Sequence, residues 1–211
     1  NMLELARSNG TKSFVFASSS SVYGERTETP FRETDPVDHP VSPYAATKKG
    51  GELLCYSYHH LYDMDMSCLR FFTVYGPRQR PEMAIALFTR LISEGKSLKM
   101  FGDGSSRRDF TFVTDIVDGI LRSLDQHQGY GVYNLGNHNM IKLRELITEI
   151  GQALKIEPKI EQLPDQPGDV STTCASIEHS QEKLGYNPST TLQQGIQKYV
   201  KWYQDQGQDW V

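Results

Sequence analysis

The sequence predicts a mixed α/β protein whose first part is built on a parallel sheet. Two short apolar runs, residues 14–17 within SFVFASSSS and residues 66–72, MSCLRFF, are continuous rather than alternating. Strands buried on both faces read that way. Between them lies PYAATKKGGELLCYSYHHLY, residues 43–62, with Pro43 suited to a first helical turn and Ser42 to its N-cap. Strand, long helix, strand in this order implies a right-handed crossover unit of a parallel sheet. Beyond residue 75, short strands alternate with helices, which predicts a second, smaller α/β region.

In chain order, NMLELARSNG reads as the end of a helix, apolar at Met2, Leu3, Leu5 and Ala6, with Gly10 at its C-terminal cap. A helix whose first turn is residue 1 carries no start signal, so sequence upstream of Asn1 is expected. Residues 24–42 are a loop. MAIALFTRLISEG has helical period and stops at Gly95, SLKMFG is a short strand, GDGSSRRD a loop and FTFV an extended piece. TDIVDGILRSLDQH predicts a helix from Thr114 or Asp115, the latter as an N-cap. GVYNLG is a strand, KLRELITEIGQALK an amphipathic helix and KIEQLP an edge strand. SIEHSQEKLG is a helix capped by Ser176 and closed by Gly185, and STTLQQGIQKYVKWYQDQ ends the series as a helix.

Composition narrows the class. The apolar share is 37%, the charged share 23% and the net charge −4, ordinary for a soluble globular chain and without a basic footprint for nucleic acid. No apolar run reaches the roughly 18 residues of a membrane span, so no membrane partner is expected. The 3 cysteines are widely spaced with no CxxC pair, which predicts reduced thiols in a cytoplasmic protein, Cys55 and Cys68 in the core, and no metal.

Tyr44 and Lys48 stand four apart on the long helix and therefore share a face, with Cβ atoms about 6 Å apart. An ammonium beside a phenol favours the phenolate, and a tyrosine so tuned acts as a general base near neutral pH. The YxxxK spacing alone occurs often by chance. Its context adds weight: Ser19, in ASSSSVYG, falls at the C-terminal end of the first strand, and RFFTVYGPRQRP ends the second. Ligands of open α/β sheets bind outside those ends.

ASSSSVYG, SPYAATKKGGE, LRFFTVYGPRQRPEMA, FGDGSSRRDFTFVTDIVDGI, YNLGN and QPGDV resemble, in order and over nearly the whole chain, the extended short-chain dehydrogenase/reductase family. Within it they are most similar to nucleotide-sugar 4-epimerases, and among these to those acting on UDP-glucuronate. The resemblance implies a partial Rossmann-type doubly wound sheet. Residues 1–75 would be the C-terminal half of the dinucleotide-binding domain. Residues 76–211 would be mainly a smaller substrate domain, with some segments returning to the sheet. It implies NAD as cofactor, lodged against Ala17, Ser18, Tyr44, Lys48, Phe71 and Val74. It also implies a Ser19–Tyr44–Lys48 triad: Tyr44 takes the proton from the sugar O4, Lys48 binds the nicotinamide ribose, and Ser19, with Ser20 and Ser21, holds O4. Relatives pair through the helix 43–62, so a homodimer is expected.

The family's 4,6-dehydratases carry an Asp-Glu pair where this chain has Ser20 and Ser21, and its decarboxylases usually carry Glu at the position of Ser21. Both chemistries are thereby demoted, not removed. By resemblance, Thr73 and Arg80 are candidates for the C6 carboxylate of a glucuronosyl group, an Arg fork suiting a carboxylate. Arg108 resembles the phosphate-binding arginine, Asp169 the carboxylate on the nucleotide ribose, and the backbone at Met100 and Phe101 the lining of the base pocket. The family's glycine-rich dinucleotide turn does not occur in the 211 residues. Two readings follow: a C4 epimerase of UDP-sugars of which this is the C-terminal portion, inactive alone, or a nucleotide-sugar-binding remnant without catalysis.

Overall fold

The computed structural model describes residues 1–126, 128–164 and 172–207. Helix α1 (Met2–Ser8) leads into strand β1 (Ser13–Ser19) and a 3-10 turn, Ser20–Tyr23. Helix α2 (Pro43–Tyr62) follows the long loop, then strand β2 (Asp65–Phe71). Pro43 opens α2, and the Ser42 hydroxyl accepts from the Ala45 N–H at 3.1 Å, satisfying one of the orphan donors of the first turn. The helix ends where Asp63 turns left-handed, φ 53°, and donates to the His59 carbonyl.

β1 and β2 pair in parallel, from Ser13 opposite Asp65 to Ser19 opposite Phe71. Strand β6 (Tyr130–Leu135) adds in parallel to the far side of β2, giving a sheet ordered β1-β2-β6. Side chains alternate across it: Phe14 and Phe16 pack with Cys55, Met66 and Cys68 beneath α2, whereas Val15 packs with Leu69, Tyr133 and Leu135 on the other face. Both faces are covered, which is why these strands read as unbroken apolar runs. Gly51 lets α2 approach closely, since a Cβ there would stand 2.1 Å from the Phe16 ring.

The remainder runs β3 (Thr73–Tyr75), α3 (Ala84–Ser93), β4 (Ser97–Phe101), β5 (Arg107–Phe112) and α4 (Val113–Gln126) before β6. After β6 come β7 (Met140–Lys142), α5 (Leu143–Leu154), β8 (Lys159–Leu163), α6 (Glu178–Leu184) and α7 (Leu192–Trp202). β3 and β5 are parallel, β5 and β7 antiparallel, and β4 and β8 parallel. A second core gathers Ile85, Phe88, Met100, Leu146, Ile150 and Tyr199 between α3, α5 and α7. Cys55 and Cys68 are buried free thiols, as expected. Among the described residues no helix is long and apolar enough to cross a membrane.

Several local expectations change. β5 begins at Arg107, so part of the expected loop is strand, because Arg107 to Asp109 pair with β7. Ser176 caps nothing: Ile177 holds the N-cap of α6 without a side-chain bond. Ser176 instead bridges two elements, its N–H donating to Phe31 O and its carbonyl accepting from Asn134. Asp115 lies inside the first turn of α4 and accepts from the Thr190 N–H at 3.1 Å. For Asp115 a long-range partner takes the carboxylate that local capping would have used; for Ser176 it is the backbone that the fold ties to Phe31 and Asn134.

Candidate functional site

The C-terminal ends of β1 and β2 and the first turn of α2 converge on a cleft of about 540 Å³. Its lining includes Ser18, Ser19, Ser20, Tyr44, Phe71, Thr73, Val74, Arg78 and Arg80. Three segments far apart in sequence are thus brought together as parallel-sheet geometry requires, with the open end of the strands facing the cleft. The Ser19 hydroxyl accepts from the Ser21 N–H at 3.2 Å, which starts the 3-10 turn and leaves its own proton to donate elsewhere. Ser21 itself does not line the cleft. Its hydroxyl is buried and, among the described residues, has no hydrogen-bond partner.

Tyr44 stands 55% exposed at the cleft edge. Lys48, one turn on, donates from Nζ to the Ala17 carbonyl at 2.7 Å, and its ammonium lies 5.5 Å from the centre of the Tyr44 ring and 5.6 Å from that of Phe16. The lysine is therefore pinned to the end of β1 rather than swinging free in solvent. A phenol and a hydroxyl donor at one cleft, with a fixed ammonium beside the phenol ring, can hold a substrate hydroxyl and move its proton.

One turn below Lys48 lies a group of residues that the sequence reading passed over. Glu52 is buried, and Arg70 of β2 grips it with Nε to Oε1 at 2.8 Å and Nη2 to Oε2 at 2.9 Å. The Ser18 hydroxyl donates to the same Oε1 at 2.6 Å. Burial pushes the Glu52 carboxyl up, but the Arg70 bonds, its charge and the Ser18 bond outweigh that and hold it below the ordinary 4.5. The Arg70 guanidinium also covers the Tyr23 ring at 4.9 Å, and burial pushes that phenol up to about 12. The Ser18 side chain, expected at the cofactor, is thus directed at Glu52. Glu52 had a legible signal, standing four after Lys48. Arg70 had one too, as a lone charge in an apolar strand, which demands a partner.

Other expected residues lie apart from the cleft. Met100 packs its side chain into the second core at 1% exposure, and Phe101 is exposed beside it on β4. Arg108 lies on β5, with Nη1 donating to the Arg107 carbonyl at 3.0 Å. Arg80, at the cleft, has a side chain 75% exposed and meets Glu82 at 3.3 Å. Asp169 falls outside the described residues. Asp109, next to Arg108, is fully buried and accepts from the N–H groups of Asn137 at 2.7 Å, Ala175 at 2.9 Å and His138 at 3.2 Å, and from the Thr111 hydroxyl.

Comparison with known proteins agrees with this geometry. The family described as NAD dependent epimerase/dehydratase matches residues 1–136. UDP-glucuronate 4-epimerase 3 of Arabidopsis thaliana is 44% identical over 222 residues, covering 96% of this chain and 51% of its own. The solved UDP-glucuronic acid 4-epimerase of Bacillus cereus, in complex with UDP-glucuronic acid and NAD, superposes with a TM-score of 0.87 at 32% identity, over 96% of this chain and 65% of that one. A dTDP-glucose 4,6-dehydratase of Bacillus anthracis, in complex with NAD, is similar at a TM-score of 0.88 and 30% identity, over 98% of this chain and 66% of that one. The chain spans between 51% and 67% of the length of the curated relatives it matches.

Proposed function

The chain belongs to the NAD-dependent epimerase/dehydratase family, and from that premise we propose that its protein inverts a UDP-sugar at C4, most specifically UDP-glucuronate to UDP-galacturonate. One observation carries the reading: Tyr44 and Ser19 line the same cleft while Lys48 is pinned beside them at the end of β1. Tyr44 takes the proton of the sugar 4-hydroxyl and later returns it. Ser19, already accepting from Ser21, donates to the same oxygen and fixes its position. Lys48 holds positive charge beside the phenol ring. The cleft suits NAD, because it opens at the carboxyl ends of parallel strands with an ammonium at its rim. Ala17, Phe71, Val74 and the backbone of Ser18, whose hydroxyl is held by Glu52, would hold the cofactor with Lys48 toward its ribose, and when bound it supplies the reversible hydride acceptor for C4.

Arg80 and Thr73 belong to the substrate side of this reading, with Ser20 beside Ser19. Arg80 is exposed and held by a surface ion pair to Glu82 and a weak contact to the Met83 sulfur, so it can turn onto a carboxylate at little cost. Arg80→Ala is expected to raise KM for UDP-glucuronate roughly tenfold or more, about the worth of a charge-assisted hydrogen bond, while moving that for UDP-glucose little. Equal weakening of both sugars would remove the carboxylate role. The nucleotide contacts assigned to Met100, Phe101, Arg108 and Asp169 are part of the same proposal. The dehydratase reading stays second because Ser20 and Ser21 provide no carboxylate for it.

We read residues 1–75 as the back half of the dinucleotide domain and residues 76–211 as mainly the substrate domain, with β6 returning to the first sheet. These 211 residues contain no glycine-rich dinucleotide turn. Alone they are expected to bind UDP-glucuronate measurably by calorimetry but NAD hardly at all; turnover by this stretch alone would overturn that expectation. Leu54 and Leu61, seven apart on α2, are 56% and 65% exposed, which fits pairing of two copies through this helix. Sedimentation should give a dimer that Leu54→Glu with Leu61→Glu converts to monomer; a monomeric parent rules the pairing out.

A further inference from the structure

The four-residue spacing along α2 sets Tyr44, Lys48 and Glu52 on one face over about two turns. Each of the last two is tied to β1, and to adjacent residues of it: Lys48 donates to the Ala17 carbonyl, and Glu52 accepts from the Ser18 hydroxyl. Ser18 stands opposite Arg70 in the strand register, and the next rung, Ser19 opposite Phe71, opens into the cleft. Glu52 is therefore clamped across the two strands one rung beneath the cleft floor. The clamp fixes both how far α2 slides along the sheet and how it is rotated. Those two freedoms decide where the Tyr44 oxygen stands relative to Ser19.

A buried ion pair is a poor device for stability alone, because desolvation offsets its attraction and an apolar pair of similar size often does as well. Its directional content is another matter. The Arg70 fork meets both oxygens of Glu52, and the Ser18 bond selects one of them. An apolar pair would fill the space without fixing that orientation. Arg70 is in turn steadied from below by the Tyr23 ring, whose hydroxyl donates to Asn134 Oδ1 at 2.7 Å on β6. All three strands of the sheet thus feed into the placement of one helix.

We propose that Glu52, held by Arg70 and Ser18, is a positioning residue for catalysis: it sets the register of the Tyr44–Lys48 face against β1. The proposal rests on the reading of Tyr44 as the proton-transfer group. Misplacement by about 1 Å through a residue outside the chemistry costs on the order of a hundredfold in rate. It acts on kcat, because substrate binding elsewhere in the cleft is untouched.

The test uses the full protein with UDP-glucuronate and NAD. The paired variant Glu52→Leu with Arg70→Met removes both fully buried charges; Lys49, whose ammonium meets Glu52 at 3.6 Å, keeps a quarter of its side chain exposed and can turn to water, so thermal stability is expected near the parent's. A positioning role predicts that kcat nevertheless falls roughly tenfold to a hundredfold with KM within about twofold. Recovery of kcat together with stability would mean that the pair only holds the fold, and the proposal fails. Should the paired variant not fold, Ser18→Ala tests the same rung without altering any charge: kcat is expected to drop about fivefold to tenfold with KM for UDP-glucuronate unchanged, and to recover in Ser18→Thr, which restores the hydroxyl. An unchanged kcat in Ser18→Ala overturns the proposal as well. Tyr44→Phe, assayed alongside, separates the two layers: if it stays active, the proton-transfer reading is what has failed.

Discussion

Tyr44→Phe in the whole protein is expected to lower kcat by about 10²- to 10⁴-fold, the worth of a positioned acid–base group, with KM for the UDP-sugar nearly unchanged. The change deletes one oxygen and leaves the ring. Tyr44 is 55% exposed, so no core cavity opens, and stability should stay within about 0.5 kcal/mol of the parent. That contrast gives the experiment its force, since loss of activity cannot then be blamed on loss of fold. Ser19 would remain to hold the sugar oxygen, which is why binding should survive. The measurement is steady-state kinetics of C4 inversion beside a melting curve. A variant retaining a tenth or more of parent kcat would place the proton-transfer group elsewhere in the cleft.

The shared face of Tyr44 and Lys48 was legible in the sequence because its signals are local. Pro43 and Ser42 mark the start of α2, and a helix start fixes that Tyr44 and Lys48 share a face. The continuous runs around Phe16 and Leu69 announced a parallel sheet, whose open end tells where ligands go. What could not be read was the long-range use of polar groups. Asp115 carries a good capping side chain, yet the fold uses its carboxylate to satisfy the Thr190 N–H 75 positions away, and Ser176 is fixed through its backbone N–H to the Phe31 carbonyl rather than as a cap. Capping preference is worth about 1 kcal/mol, and a buried unpaired backbone group such as the Thr190 N–H costs as much or more, so at Asp115 the tertiary demand wins. Ser18 shows the same long-range use: it belongs to the motif of hydroxyls, and alternation along β1 turns its side chain toward Glu52.

Asp109 makes the strongest case for that long-range demand, and its replacement carries the largest expected effect on stability. One buried carboxylate accepts from three backbone N–H groups, those of Asn137, His138 and Ala175, which lie on two segments remote from β5. Asp109→Ala would strand all three donors where protein rather than water surrounds them. At about 1–3 kcal/mol for each unsatisfied buried group, partly relieved by water entering the space, a loss of roughly 4 kcal/mol is expected. That is a large part of the ~5–15 kcal/mol that holds a domain together. Asp109→Asn keeps one acceptor oxygen but turns an amide NH₂ toward donors, so it should cost about half as much, roughly 2 kcal/mol. The knot also ties β5, which carries Arg108, to the segment from Thr173 to Ala175, so both variants should weaken UDP binding in proportion to their destabilisation. Urea denaturation of the parent and both variants checks the order. A cost below 1 kcal/mol for Asp109→Ala would mean that the three N–H groups find other partners, and that this carboxylate does not tie β5 to the segments at Asn137–His138 and Ala175.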